Sequence, residues 1–151
     1  NMLAETTLRL AEEVENVIAV KEASNNLEQI MQIIDHAPAK FAVLSGDDSL
    51  TLPLVSCGGD GVISVVSNEV PKDFSDMVRS ALAGDLKKAR TLHYKLFELM
   101  KVNFIESNPI PVKTAMHLMG MMDDTLRLPL TRISKHNREK LRKVLKELKL
   151  V

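Results

Sequence analysis

The chain has 151 residues, is 45% hydrophobic and 26% charged, and sets 20 Lys plus Arg against 20 Asp plus Glu. That composition fits one globular domain, or part of a larger one, with enough apolar matter for a core. A net charge of zero excludes a global field that would draw the chain to nucleic acid or an anionic membrane. The single cysteine, Cys57, excludes an intramolecular disulfide and points to a reducing compartment, the cytoplasm. The apolar runs are too short to span a bilayer, and no basic-then-apolar targeting segment opens the sequence.

Residues 3–14, LAETTLRLAEEV, repeat apolar residues at helical spacing. VIAVK, 17–21, is continuous and β-branched, which predicts a buried strand. The polar EASNN follows, with Asn25 or Asn26 as N-cap of a helix over LEQIMQIIDHA, which Pro38 stops. The rhythm then recurs. FAVLS, 41–45, is a second strand, and GDDS a loop with Asp48 or Ser49 as cap. LTLPLVSC is a short helix with Pro53 in its first turn. GGDG turns into a third strand, VISVV, 62–66. SNEVPKD is a loop, and DFSDMVRSALAG a helix ending at Gly84.

Strand, polar loop and helix repeated in this way mark a parallel sheet built from βα units. After Gly84 the strands cease. DLKKARTLHYKLFELMKVNF is a long amphipathic helix, and NPIPVKTAMHLMG starts one at Pro111 and stops it at Gly120. RLPLTRIS is extended, and KHNREKLRKVLKELKL is a final helix. The expected division is therefore a parallel α/β part over 1–84 and a helical part over 85–151. Three βα units leave both sheet edges open, so they form either a small open sheet or the back of a larger barrel.

Lys21 stands out because it ends an apolar strand. In parallel α/β proteins reactive groups sit where strands end and βα loops begin. An amine walled there by aliphatic side chains loses hydration, which favours the neutral form able to attack a carbonyl and form a Schiff base. The bland alternative is a lysine that reaches solvent. In SGDD, 45–48, Gly46 allows close approach of backbone to a ligand, or a positive φ. Asp47 and Asp48 serve either as an acid/base pair or, as favoured here, as helix caps. GGDGVIS has its glycines before the strand, the wrong order for a dinucleotide loop, and reads as a turn. Ile63 and Ser64 run toward the same strand-end face as Lys21 and Gly46. The histidines His36, His93, His117 and His136 have no metal-ligand spacing. Tyr94, between Leu92 and Leu96, reads as packing, and the methionines as helical core filler. Residues 132–149 hold eight bases against Glu139 and Glu147. However, Leu141, Val144, Leu145 and Leu148 form a helical stripe, so this segment reads as a docked helix with a solvated basic face rather than a nucleic-acid arm.

VIAVKEASNNLEQI, LSGDDS, GGDGVISVVSNEVP, NPIPVK and DTLRLPLT occur in an order that resembles the dihydrodipicolinate synthase family, within the N-acetylneuraminate lyase superfamily, over essentially the whole chain. The resemblance implies a (β/α)8 barrel, of which this chain supplies roughly the last three βα units plus a C-terminal helical extension. It implies a class I aldolase-type reaction in lysine and diaminopimelate biosynthesis, in which pyruvate bound to Lys21 condenses with aspartate 4-semialdehyde. Lys21 matches the Schiff-base position. Ile63 matches a residue lying against bound pyruvate, and Gly46 a backbone position lining the same pocket. No cofactor or metal is implied, and no nucleic-acid or membrane partner. A homotetramer is. SGDD and NPIPVK resemble the synthases more than the sugar-acid lyases, which are the alternative.

A barrel of this kind runs to about 250 residues. The resemblance places only its back part here, from the loop or helix before the sixth strand. It puts the carboxylate-binding threonines, the proton-relay tyrosine, the semialdehyde-binding arginine and the lysine feedback site in the front half, with Tyr94 no substitute. Three accounts follow: a piece of a cleaved or separately expressed protein, a front half carried on another chain, or an inactive fragment. Alone, such a fragment is expected to be inactive and to associate through exposed apolar strand faces.

Overall fold

The computed structural model describes residues 1–151. The chain divides into two compact units, one made of Asn1–Ser64 and Asp76–Arg90, the other of Val65–Ser75 and Thr91–Val151.

The first unit opens with α1 (Ala4–Glu13) and then alternates β1 (Ala19–Glu22), α2 (Leu27–His36), β2 (Ala42–Ser45), α3 (Thr51–Ser56) and β3 (Gly61–Val62). The strands form a parallel sheet in the order β1-β2-β3, with Lys21 opposite Leu44 and Ser45 opposite Val62. Alternate side chains of a strand point to opposite faces. Val43 faces the helices, where it is buried with Ala4, Ile33 and Phe41, and Val20 packs on the same cluster. Lys21 and Leu44, one residue further on, therefore face the other side. A second cluster joins Ile30, Leu52, Leu54 and Val55 to Ala81 and Ala89. These come from α4 (Pro71–Leu82) and α5 (Leu86–Val102), which each contribute residues to both units.

The chosen strands and helices follow from local chemistry. Asn26 caps α2 by accepting hydrogen bonds from the Glu28 and Gln29 amides at 3.1 and 3.2 Å, while Asn25 takes the positive φ of 61° that begins the turn. The GGDG segment is a turn. Gly58 has φ 105°, and Asp60 closes on β2 by donating its amide to Val43 O at 3.0 Å and accepting the Val43 amide at 2.8 Å.

Two expectations need correction here. The third strand is only Gly61–Val62, extended by one ladder bond from the Ile63 amide to Ser45 O at 2.9 Å. Val66, predicted to end that strand, instead starts a 3-10 turn over Val66–Asn68 and is fully buried. Its branched side chain fits a buried site in a turn as well as in a strand, so burial overrides propensity. A 3-10 turn, Asp48–Leu50, also precedes α3. The capping positions therefore fall on Asp47 and Leu50 rather than on Asp48 or Ser49, and neither makes a side-chain cap.

The second unit is helical. It contains the lower part of α5, α6 (Ile110–Leu118) and α7 (Lys135–Glu147). In α7 the stripe behaves as expected: Leu141 and Leu145 are fully buried and the helix packs on α6. Ser134 caps α7 and forms a small network with Glu106. The Glu106 carboxylate accepts from Ser134 Oγ at 2.8 Å, the Ser134 amide at 3.1 Å and Asn137 Nδ2 at 2.7 Å. The segment between α6 and α7 is held by Asp124, which pairs with Arg132 at 3.6 Å and Arg138 at 3.4 Å. Buried Asn103 donates to Glu69 at 2.6 Å.

Tyr94 is 70% exposed and does not serve as core packing; its neighbours His93 and Leu96 take the buried positions of that turn. The methionines divide. Met77 and Met100 are buried, whereas Met2, Met31, Met121 and Met122 are exposed.

Candidate active site

The C-terminal ends of three adjacent parallel strands bring Lys21, Gly46 and Ile63 together. Two backbone bonds align the strand ends: the Gly46 amide donates to Glu22 O at 2.7 Å, and the Ile63 amide to Ser45 O at 2.9 Å. Gly46 lies so close to the first strand end that a Cβ there would fall 2.5 Å from Ala23 Cβ and 3.1 Å from Lys21 Cε. The lysine stem thus crosses residue 46, and only the absence of a side chain makes room. Gly46 is not among the residues of positive φ, so close approach, to the protein's own chain, is the reason for glycine. A recess of about 220 Å³ lies at the end of β1 toward α1 and α2, lined by residues that include Met2, Thr7, Val20, Lys21, Ser24 and Gln29 but neither Gly46 nor Ile63.

Glu22 fixes the loop after Lys21 from the opposite face. It is buried, and its two oxygens accept from the Ser24 amide at 2.7 Å and from Gln29 Nε2 at 3.0 Å. Burial would raise its carboxyl, but these hydrogen bonds outweigh burial and hold it below the ordinary carboxylate value. Sequence reasoning passed over this residue, although a carboxylate next to a strand-end lysine, two residues before a serine, has the spacing of a loop-closing acceptor.

Asp47 is the other acidic group here. Its backbone is fixed by buried Ser45 and Thr51: Ser45 Oγ donates to Asp47 O at 2.7 Å, and Thr51 Oγ1 donates to the same oxygen at 2.9 Å. Its side chain caps nothing. Burial pushes the Asp47 carboxyl up, and the positive charge of Lys21 opposes that rise.

Lys21 itself is exposed, and Ile63 is 50% exposed. The aliphatic walls expected around the amine are therefore incomplete within these residues, because the sheet face opposite α1 and α2 carries no second layer in this chain. No group of three or more His, Cys, Asp or Glu side chains is placed to hold a metal ion. No helix is long and apolar enough to cross a membrane.

A parallel sheet flanked by helices, with a lysine and a close-approach glycine at its C-terminal rim, has the organisation of the (β/α)8-barrel class. The chain is part of such a barrel, its last three strand–helix units, with helices at the C-terminal end. It belongs to the dihydrodipicolinate synthetase family, whose family model matches residues 1–148. It is 54% identical over its whole length to 4-hydroxy-tetrahydrodipicolinate synthase of Methanocaldococcus jannaschii, of which it covers 52%. It superposes with a TM-score of 0.96 on the crystal structure of dihydrodipicolinate synthase from Thermotoga maritima. The identity there is 45%, covering 100% of this chain and 52% of that one. The chloride-inhibited dihydrodipicolinate synthase of Acinetobacter baumannii, complexed with pyruvate, gives a TM-score of 0.95 at 40% identity, again over 100% of this chain and 52% of that one. The chain spans about half the length of the curated relatives it matches.

Proposed function

We propose that this chain carries the Schiff-base lysine of a 4-hydroxy-tetrahydrodipicolinate synthase, a lyase of lysine and diaminopimelate biosynthesis. The observation that supports the reading is the convergence of Lys21, Gly46 and Ile63 at three neighbouring strand ends. In this reading the Lys21 amine adds to the keto carbon of pyruvate and water leaves. Loss of a methyl proton from the resulting iminium gives an enamine, which attacks the aldehyde carbon of aspartate 4-semialdehyde. Gly46 and Ile63 present backbone and an aliphatic surface to the keto acid.

The reading assigns the rest of the barrel to an N-terminal half. That half would pair with β1, an edge strand whose Ala19 and Lys21 main-chain groups point away from β2, and would complete the dry surround of the amine. It also assigns residues 1–84 to the barrel and 85–151 to the helical domain, a homotetrameric assembly, and a place in the cytoplasm. The experiment is borohydride trapping with [14C]pyruvate in the native particle that contains this chain, followed by peptide mapping. Label on the peptide bearing Lys21 is expected; label on another lysine, or on none, overturns the reading.

A further inference from the structure

We propose that Glu22, together with Gln29, positions the amine of Lys21: the two close the loop after the first strand into a fixed ring that aims the lysine stem at the keto acid. This rests on the Schiff-base reading of Lys21.

Three observations carry it. The first is that the loop is a hydrogen-bonded circuit that starts and ends on one carboxylate. Glu22 Oε1 accepts from the Ser24 amide at 2.7 Å, and Ser24 Oγ accepts from the Asn26 amide at 3.2 Å. Asn26 Oδ1 accepts from the Gln29 amide at 3.2 Å, and Gln29 Nε2 donates back to Glu22 Oε2 at 3.0 Å. The second is that the circuit is tied to the chain on either side. Gln29 Nε2 also donates to Met2 O at 3.3 Å, and Glu22 O accepts the Gly46 amide at 2.7 Å. Both N–H bonds of the Gln29 side chain thus meet oxygens, which fixes the orientation of that amide. The third is where the two neighbours point. Glu22 is the one buried residue of β1, whereas Lys21 is exposed and its stem passes beside Gly46. The buried carboxylate therefore anchors the strand end from which the lysine projects.

A βα loop is ordinarily the mobile part of its unit, and joining a strand to a helix requires no buried carboxylate. Here every bond of the circuit constrains the backbone next to Lys21. Such fixation matters for chemistry, because displacing a reacting group by about 1 Å costs about a hundredfold in rate.

The test follows the rate of borohydride-trapped adduct formation against pyruvate concentration, in the native particle that contains this chain. Glu22→Gln keeps the shape but turns a donor toward Gln29 Nε2, and a Gln29 amide that flips to receive it gives up Met2 O. The rate at saturating pyruvate is expected to fall about tenfold or more, with the half-saturating concentration unchanged. Gln29→Ala, on the half-buried side of α2, opens the circuit without burying a new group and is expected to act in the same direction. Glu22→Gln combined with Gln29→Glu restores a donor–acceptor pair of reversed polarity and is expected to recover part of the rate. Wild-type rates in both single variants, even with a lowered melting temperature, overturn the positioning role. So does a raised half-saturating concentration at unchanged rate, or a double variant as slow as Glu22→Gln. If wild-type protein is not labelled at Lys21, the Schiff-base reading itself fails and the positioning role with it. Labelled wild type with unaffected variants overturns the positioning role alone.

Discussion

Gly46→Ala tests the geometry of the strand ends directly. The added methyl would lie 2.5 Å from Ala23 Cβ, 3.1 Å from Glu22 O and 3.1 Å from Lys21 Cε. Carbon atoms at rest stand about 3.5–4.0 Å apart, so the two strand ends must separate by about 1 Å. The Lys21 stem can move, but Ala23 Cβ and Glu22 O are fixed by the backbone, and Glu22 O already accepts the Gly46 amide at 2.7 Å. Overpacking of this kind costs about 1–3 kcal/mol. That loss lowers the melting temperature of the native particle that contains this chain. Thermal unfolding by circular dichroism reads the loss, and pyruvate trapping reads the displacement of Lys21. Ala23→Gly added to Gly46→Ala removes the shortest contact and should recover much of the stability, since the two sites are coupled. Gly46→Ala with unchanged melting temperature and unchanged trapping would refute the close-approach argument.

Other expectations follow from the same contacts. Ser134→Ala deletes the α7 cap and one of the donors to Glu106, and should cost about 1 kcal/mol in thermal unfolding. Leu141→Ala empties a fully buried position and should cost about 2–5 kcal/mol, measured the same way. The Glu22 and Glu106 carboxyls are both held below their ordinary value. The folded state therefore binds fewer protons than the unfolded one, and their stabilisation is complete above about pH 4.3 and is lost as pH falls through their lower folded values. Melting temperature measured against pH should drop in that acid range, and Glu106→Gln should make the drop shallower.

Much of this fold is written in periodicity. The apolar runs at 17–21 and 41–45, each followed by polar residues and a helical repeat, are enough to announce parallel βα units, and Lys21 is conspicuous as the one charge closing the first run. VISVV has strand composition throughout, so composition predicts a strand to Val66, whereas tertiary burial places Val66 in a turn. GDDS shows the same limit of local pattern. Asp is a common cap, and nothing local reveals that a 3-10 turn displaces the capping position and leaves the Asp47 side chain without a capping role. The leucine neighbours of Tyr94 predict a packed position, but a helix face turns by about 100° per residue, and His93 takes the inward place. Gly46 was legible as a site of close approach. That the approaching group is Ala23 and the stem of Lys21 required the strand register.

The central claim is that one amine, Lys21, condenses with a keto acid at this rim. Borohydride reduction of the native particle with pyruvate, followed by mass spectrometry of the peptide spanning residues 17–28, measures it directly. The account predicts reductive capture of pyruvate at Lys21, lost in Lys21→Met. An unmodified Lys21 with the adduct on a different lysine would contradict it.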